Sequence, residues 1–287
     1  MDYINIIIQG IIQGLTEFLP VSSSGHLSLT QHFLNIQESN LLIMVCLHMG
    51  TLIAVFIAFR KTIWEMIKEL FLTIKDISTG KFSWKNMNDS RRMMMMVVIS
   101  TLLLIPVYFV KDYFTDFEGD GDIIFEGCAF LFTALLLFFA DACTKGMKTG
   151  KDMRITDAIR IGILQIIAIL PGVSRSGSTI TGGLLCGLSA ETAVAFSFIL
   201  GIPAILGGSV VELKETLSSG VNIDITVLAI GFAVAAVVGF LSIKLVELVG
   251  KKRKFKIFAV YMILLGVATI STGIYENVTG ARLFING

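Results

Sequence analysis

Six stretches of the chain run almost free of charge for the length of a membrane-crossing helix: residues 41–59, 93–110, 123–140, 191–211, 225–245 and 255–272. A hydrocarbon core about 30 Å thick needs about 20 apolar residues in helical form, so each stretch predicts one span. Polar residues inside them, such as Ser100, Thr133 and Ser242, can bond back to their own helices, and Pro106 and Pro203 are tolerated where neighbours re-satisfy the backbone. Two further apolar segments, 3–33 and 158–187, are too short for two spans each and are broken in the middle by Pro, Gly and Ser. Segment 62–81 has a different rhythm. Ile63, Met66, Ile67, Leu70, Phe71 and Ile74 recur at helical spacing, which predicts an amphipathic helix on the inner interface.

The charges lie between the spans, and they alternate. Segments 60–92, 143–160 and 250–256 carry eight, five and five Lys/Arg, whereas segments 111–122 and 212–224 carry one each, against five and three acids. By the positive-inside rule the basic loops face the cytoplasm. Span 41–59 must then run inward, so segment 3–33 enters and leaves on the outer side. Span 191–211 must run outward, so segment 158–187 enters and leaves on the inner side. The simplest solution is two re-entrant helical hairpins from opposite faces, because broken backbone at membrane depth is tolerated only against protein or a wet cavity. The expected architecture is all-α and polytopic, with six transmembrane helices, two re-entrant hairpins and both termini outside. Lys251–Lys254 and Arg91–Arg92 set topology and meet anionic lipid heads, and Met93–Met96 reads as a packing surface.

Composition agrees with this reading. Of 287 residues, 54% are apolar and only 16% charged, with a mean hydropathy of +0.81; soluble domains run at about 25% charged. The net charge of +1 leaves no footprint for nucleic acid. Four scattered cysteines without a CxxC pair read as small buried hydrophobes. The first segment has no basic n-region, so no cleavable signal peptide is expected.

The two broken segments resemble each other. At an offset of 152, Ile7, Gly10, Ile11, Gln13, Val21, Ser22, Ser24 and Gly25 fall on identical residues, eight in the nineteen positions 7–25. Each copy is followed by three spans, so the second must be inverted relative to the first. The single membrane domain, 1–287, then divides into repeats of about 1–142, with hairpin 3–33, and about 155–275, with hairpin 158–187. Inverted repeats with interrupted helices place a binding site near the membrane midplane.

Polar residues concentrate in those interruptions. The first contains Gln13, Glu17, Ser22, Ser23, Ser24, Gly25 and His26; the second contains Pro171, Gly172, Ser174, Arg175, Ser176, Gly177, Ser178 and Thr179. An ionisable residue at membrane depth is a functional candidate by default, although Glu17 and Arg175 could also simply pair and lock the two segments. The set suits phosphoryl chemistry. Arg175 presents a planar fork to phosphate oxygens, the hydroxyls of Ser22, Ser24, Ser174, Ser176, Ser178 and Thr179 add neutral donors, and Gly172 and Gly177, with Gly25 in the first break, let backbone approach. Helices starting near His26 and Ser178 would aim their N-termini at one anion. Ser23 or a neighbouring hydroxyl could be the nucleophile with His26 as base, or His26 could itself be phosphorylated. Glu17 and Gln13, four apart, share a helix face and suit a hard divalent cation; alternatively Glu17 orients His26. His32 and His48 read first as satisfied helix histidines, with a contact between His48 and the site left open.

The pair E-F-L-P-V-S-S-S-G-H and P-G-V-S-R-S-G-S-T resembles the two signature motifs of bacterial undecaprenyl-diphosphate phosphatases of the bacitracin-resistance type, and the likeness extends over the whole chain in span pattern and motif spacing. The resemblance implies hydrolysis of the polyprenyl carrier diphosphate to the monophosphate for wall synthesis, tolerance of bacitracin, a location in the bacterial cell membrane with the site open outward, and a need for Mg²⁺ or Ca²⁺. By position it carries Glu17, Ser23, His26 and Arg175 over as the catalytic set, with Ser174 and Thr179 matching further residues of the second motif. The family's first motif often has two acids four apart; here the earlier is Gln13, which puts a carboxylate-pair metal site in doubt. A lipid flippase on the same inverted repeat is the alternative, and a homodimer is left open.

Overall fold

The computed structural model describes residues 3–34, 41–109, 123–143, 145–219 and 224–283, with backbone alone for 108 and 215–219. The acidic segment 111–122 lies outside the described residues. Helices α1 (Tyr3–Thr16) and α2 (Ser23–Phe33) form the first broken segment, and α3 (Leu41–Ala58) follows. Next come α4 (Arg60–Ser78), α5 (Asp89–Leu102) and α6 (Ile124–Ala142). The second broken segment is α7 (Ile155–Ile167) and α8 (Arg175–Leu185), followed by α9 (Ala190–Ser219), α10 (Ile225–Lys251) and α11 (Lys256–Thr279).

Among the described residues six helices are long and apolar enough to cross a membrane: Leu41–Ala58, Asp89–Val107, Ile124–Ala142, Ala190–Lys214, Ile225–Lys251 and Lys256–Thr279. They coincide with the six predicted stretches, and the chain is an all-α polytopic membrane protein. The second of them is not continuous. Helix α5 stops at Leu102, and a separate turn, Ile105–Tyr108, follows with Pro106 in its first turn. A proline there removes no intrahelical hydrogen bond, whereas inside a continuous helix it would. In the broken segments α1, α2, α7 and α8 have 14, 11, 13 and 11 residues. At about 1.5 Å per residue none spans a core about 30 Å thick.

The packing interleaves the two halves. Helix α1 lies on α10 and α7 lies on α5, while α3 packs on both α9 and α10 and α6 packs on α11. Contact between α1 and α10 depends on small residues. A Cβ at Gly14 would fall 2.8 Å from Val238 Cβ and 2.9 Å from both Ala235 O and Gly239 N. Phe18, in the first break, meets Phe198 of α9 edge-on at 5.2 Å, and both rings are fully buried. Between membrane helices such contacts act through close van der Waals packing, so the break is anchored by apolar packing as well as by hydrogen bonds.

The three basic loops meet at one end of the molecule. Arg92 Nη1 donates to Met153 O, Lys151 N to Asp89 Oδ1 and Lys256 N to Asp141 Oδ1, at 2.9, 2.6 and 3.0 Å. Helix α4 is held there by Arg91, which bonds Glu69 and Asp76, each at 2.7 Å. This divides the predicted apolar stripe. Ile63 and Met66 are buried, whereas Ile67, Leu70, Phe71 and Ile74 are exposed, because Glu69 and Asp76 occupy the inner face to reach Arg91.

Candidate active site

The two breaks repeat the same local hydrogen-bond scheme. Ser22 caps α2 by accepting from Gly25 N at 3.3 Å, and Ser174 caps α8 by accepting from Gly177 N at 3.0 Å. Both caps also reach the second serine on: Ser22 Oγ lies 3.4 Å from Ser24 Oγ, and Ser174 Oγ lies 3.3 Å from Ser176 Oγ. These side chains satisfy one first-turn N–H in each helix, and the other early N–H groups have no partner within the helix.

The breaks are pressed together. Gly172 N donates to Ser24 Oγ at 3.3 Å, and Ser176 Oγ donates to Leu19 O at 3.0 Å. Gly25 has no room for a side chain: a Cβ there would collide with the Phe130 ring and stand 3.2 Å from Gly172 Cα of the second break. Gly172 itself has φ +80°, a left-handed conformation open to glycine without penalty. Ser22 also has positive φ, +71°, shared among non-glycine described residues only by Arg253; such backbone costs on the order of 1–3 kcal/mol.

Glu17 joins the two segments. Its Oε1 accepts from Arg175 Nη2 at 2.7 Å, and its Oε2 accepts from Ser23 Oγ at 2.7 Å and from Gln13 Nε2 at 3.0 Å. Arg175 Nη1 donates to Ser197 O at 3.3 Å. Thr179 Oγ1 is 2.6 Å from Ser197 Oγ, which ties α8 to α9 directly behind the guanidinium. Breaking a buried pair such as Glu17–Arg175 costs about 3–5 kcal/mol, because it strands the remaining charge.

A cavity of about 460 Å³ opens over this pair. Among the predicted residues Glu17, Ser22, Ser23, Ser24, Ser174, Arg175 and Ser176 line it. Gln13, Gly25, Gly177, Ser178 and Thr179 stand behind them, and Ser178 Oγ is buried without a partner. His26 is likewise absent from the lining. Its Nδ1 lies 2.7 Å from Ser22 O and its Nε2 lies 2.7 Å from Tyr261 Oη, on α11. His48 does line the cavity. Its Nδ1 is 2.9 Å from Met44 O and its Nε2 faces Glu17 Oε2 at 3.8 Å. His32 is buried against Glu276 at 2.9 Å.

Sequence reasoning passed over Glu126, which lines the cavity and accepts from Ser28 Oγ at 2.7 Å. The signal was present, since Glu126 is an acid inside a predicted span and falls under the rule that singled out Glu17. Ser197 and Tyr261 carried no such mark. Among the described residues no three His, Cys, Asp or Glu side chains come together to hold a metal ion.

Fold and site together define a polytopic membrane protein with a paired hydroxyl-and-guanidinium cradle set among its helices. The chain belongs to the family described as Bacitracin resistance protein BacA, which it matches over residues 6–268. It is 41% identical to the undecaprenyl-diphosphatase of Alkaliphilus metalliredigens over 265 residues, covering 91% of this chain and 95% of that protein. The undecaprenyl-diphosphatase of Methanobrevibacter smithii is 43% identical over 277 residues, covering 93% and 96%, and that of Methanosphaera stadtmanae is 38% identical over 277 residues, covering 94% and 98%.

Proposed function

We propose that this chain hydrolyses undecaprenyl diphosphate to undecaprenyl phosphate and inorganic phosphate, with Ser23 as the nucleophile. Family membership supports the activity. One observation carries the assignment within the site: Ser23 Oγ donates to a Glu17 carboxylate whose other oxygen is held by Arg175, at the wall of the cavity that both cradles line. Ser23 Oγ attacks the terminal phosphorus. Its proton passes to Glu17, the bond to the bridging oxygen breaks, and undecaprenyl phosphate leaves. Water then cleaves the phosphoserine and releases inorganic phosphate. Arg175 and the first-turn amides of α2 and α8 bear the charge of the equatorial oxygens. Hydrolysis returns the carrier lipid to its monophosphate form for wall synthesis and lowers the diphosphate that bacitracin sequesters.

A divalent cation, Mg²⁺ or Ca²⁺, fits the donors next to Ser23. Gln13 Oε1 is a buried acceptor without a partner, beside the Glu17 carboxylate. These two oxygens would hold such a cation while substrate phosphates and water complete its shell, and it would supply neutralising charge to the diphosphate.

The cavity opens to the outer face in this reading. Its lining includes Leu41 at the start of α3, Glu126 in the first turn of α6 and Glu212 late in α9. These are the helix ends remote from the basic loops, which the positive-inside rule puts in the cytoplasm. Thr279, at the end of α11, belongs to the same end, in keeping with termini outside. The matching cap hydrogen bonds of Ser22 and Ser174, with the repeated sequence around them, support a repeat, and the alternation of charged loops supports its inversion, with α1–α2 and α7–α8 as hairpins entering from opposite faces. The direct test is phosphate release from undecaprenyl diphosphate by the purified protein in detergent. Release that is lost in Ser23→Ala and Arg175→Ala is the expected result; a protein that binds the lipid without releasing phosphate would be a carrier instead.

A further inference from the structure

His26 sits three residues beyond Ser23, yet it does not line the cavity, and both its ring nitrogens are engaged elsewhere. The hydrogen-bond partners fix the tautomer of the neutral ring. Ser22 O is a carbonyl and can only accept, so Nδ1, 2.7 Å away, carries the proton. In the neutral ring Nε2 is then the acceptor, and Tyr261 Oη, 2.7 Å away, donates to it. Tyr261 also stacks on the ring, with centroids 5.8 Å apart and planes 15° apart, while Phe130 packs against it at 5.6 Å. Neither nitrogen is left with a lone pair for Ser23 or for phosphorus.

The residue that receives the Nδ1 proton is the one with unusual backbone. Ser22 has φ +71° and ψ +106°, and its carbonyl takes two donors from one residue, His26 N at 3.3 Å and Nδ1. The second break supplies an internal control. There the equivalent cap, Ser174, has ordinary backbone with φ −70° and ψ +115°, and the position equivalent to His26 is Ser178, whose hydroxyl has no partner. The positive φ and the histidine occur together, in the copy that carries Ser23.

We propose that His26 is a positioning residue: held by Tyr261, it clamps the Ser22 peptide in its left-handed conformation and so aims Ser23 Oγ at Glu17. This rests on Ser23 being the nucleophile, and it removes His26 from proton transfer and from phosphoryl transfer. Tyr261 becomes a second positioning residue for the same reaction, contributed by the last helix. Held this way, the hydroxyl that donates to Glu17 is aligned before substrate arrives.

The test is a substitution ladder in the full-length protein, assayed for phosphate release from undecaprenyl diphosphate. The amide nitrogen of asparagine stands as far along the side chain as Nδ1 and can donate to Ser22 O, but it offers no base and no nucleophile. His26→Asn should retain activity within about fivefold of wild type, the scale of one altered hydrogen bond. His26→Ala, and His26→Gln with its amide one carbon too far, should lose about 100-fold, as expected when a reacting group is misaimed. Tyr261→Phe should lower kcat about fivefold with KM unchanged. If His26→Asn is folded, by melting temperature and gel filtration, and as inactive as His26→Ala, the ring does chemistry and the proposal is overturned. Full activity in all three His26 variants overturns it as well. Should His26→Asn not fold, Tyr261→Phe decides, and unchanged kcat refutes the clamp. Ser23→Ala in the same assay reads the nucleophile separately: activity surviving there sinks the Ser23 assignment, whatever the ladder shows.

Discussion

At the scale of single residues, the site is a chain of charge-assisted hydrogen bonds, Ser23–Glu17–Arg175–Ser197. Each link constrains the next. Arg175 reaches a carboxylate on one side and a helix carbonyl on the other, which requires a fork and not a point charge. Arg175→Lys cannot hold both partners while presenting donors to phosphate, and hydrolysis should fall about 10²–10³-fold, read as phosphate release at saturating lipid. Activity within a few-fold of wild type would mean that charge alone suffices. Glu17 and Arg175 were visible in the sequence because a charge inside an apolar segment is costly and so conspicuous. Ser197 and Tyr261 were not. A serine and a tyrosine in apolar spans cost little, and their partners, Arg175 and His26, are 22 and 235 residues away in sequence.

At the scale of elements, each broken segment is a pair of short helices, and the two breaks are hydrogen-bonded to each other. Such an arrangement needs the breaks in contact, and Gly25 sets how close they come. In Gly25→Ala the new methyl would meet the Phe130 ring and the Gly172 backbone. Overpacking of this kind costs about 1–3 kcal/mol, so the melting temperature in detergent should drop and activity with it. Phe130→Leu in the same chain should restore part of the loss, since the shorter side chain can withdraw; an unchanged melting temperature in the single variant would contradict the contact. The six long helices were legible from apolar length alone. The division of α5 at Leu102 and the acidic residues on the inward face of α4 were not, because the first depends on the turn in which Pro106 falls and the second on a tertiary ion pair with Arg91.

For the whole molecule, the distribution of charge is the strongest guide. Basic loops far apart in sequence converge on one end, and the cavity lies towards the other. Cysteine labelling with a membrane-impermeant maleimide checks the orientation this implies, in a background lacking the four native cysteines. Lys151→Cys, in a basic loop, should react only after the cells are opened. Val278→Cys, 80% exposed near the end of α11, should react in intact cells. The reverse pattern would turn the cavity to the cytoplasm.

In the proposed reaction one serine, aimed by a strained backbone and a buried carboxylate, takes the phosphoryl group from the lipid. Rapid quenching of the protein with undecaprenyl diphosphate labelled in its terminal phosphate tests it most directly. Label on Ser23 is expected, formed and lost within a turnover and absent from Ser23→Ala. Label on His26, or full turnover by Ser23→Ala with no labelled protein, would contradict it.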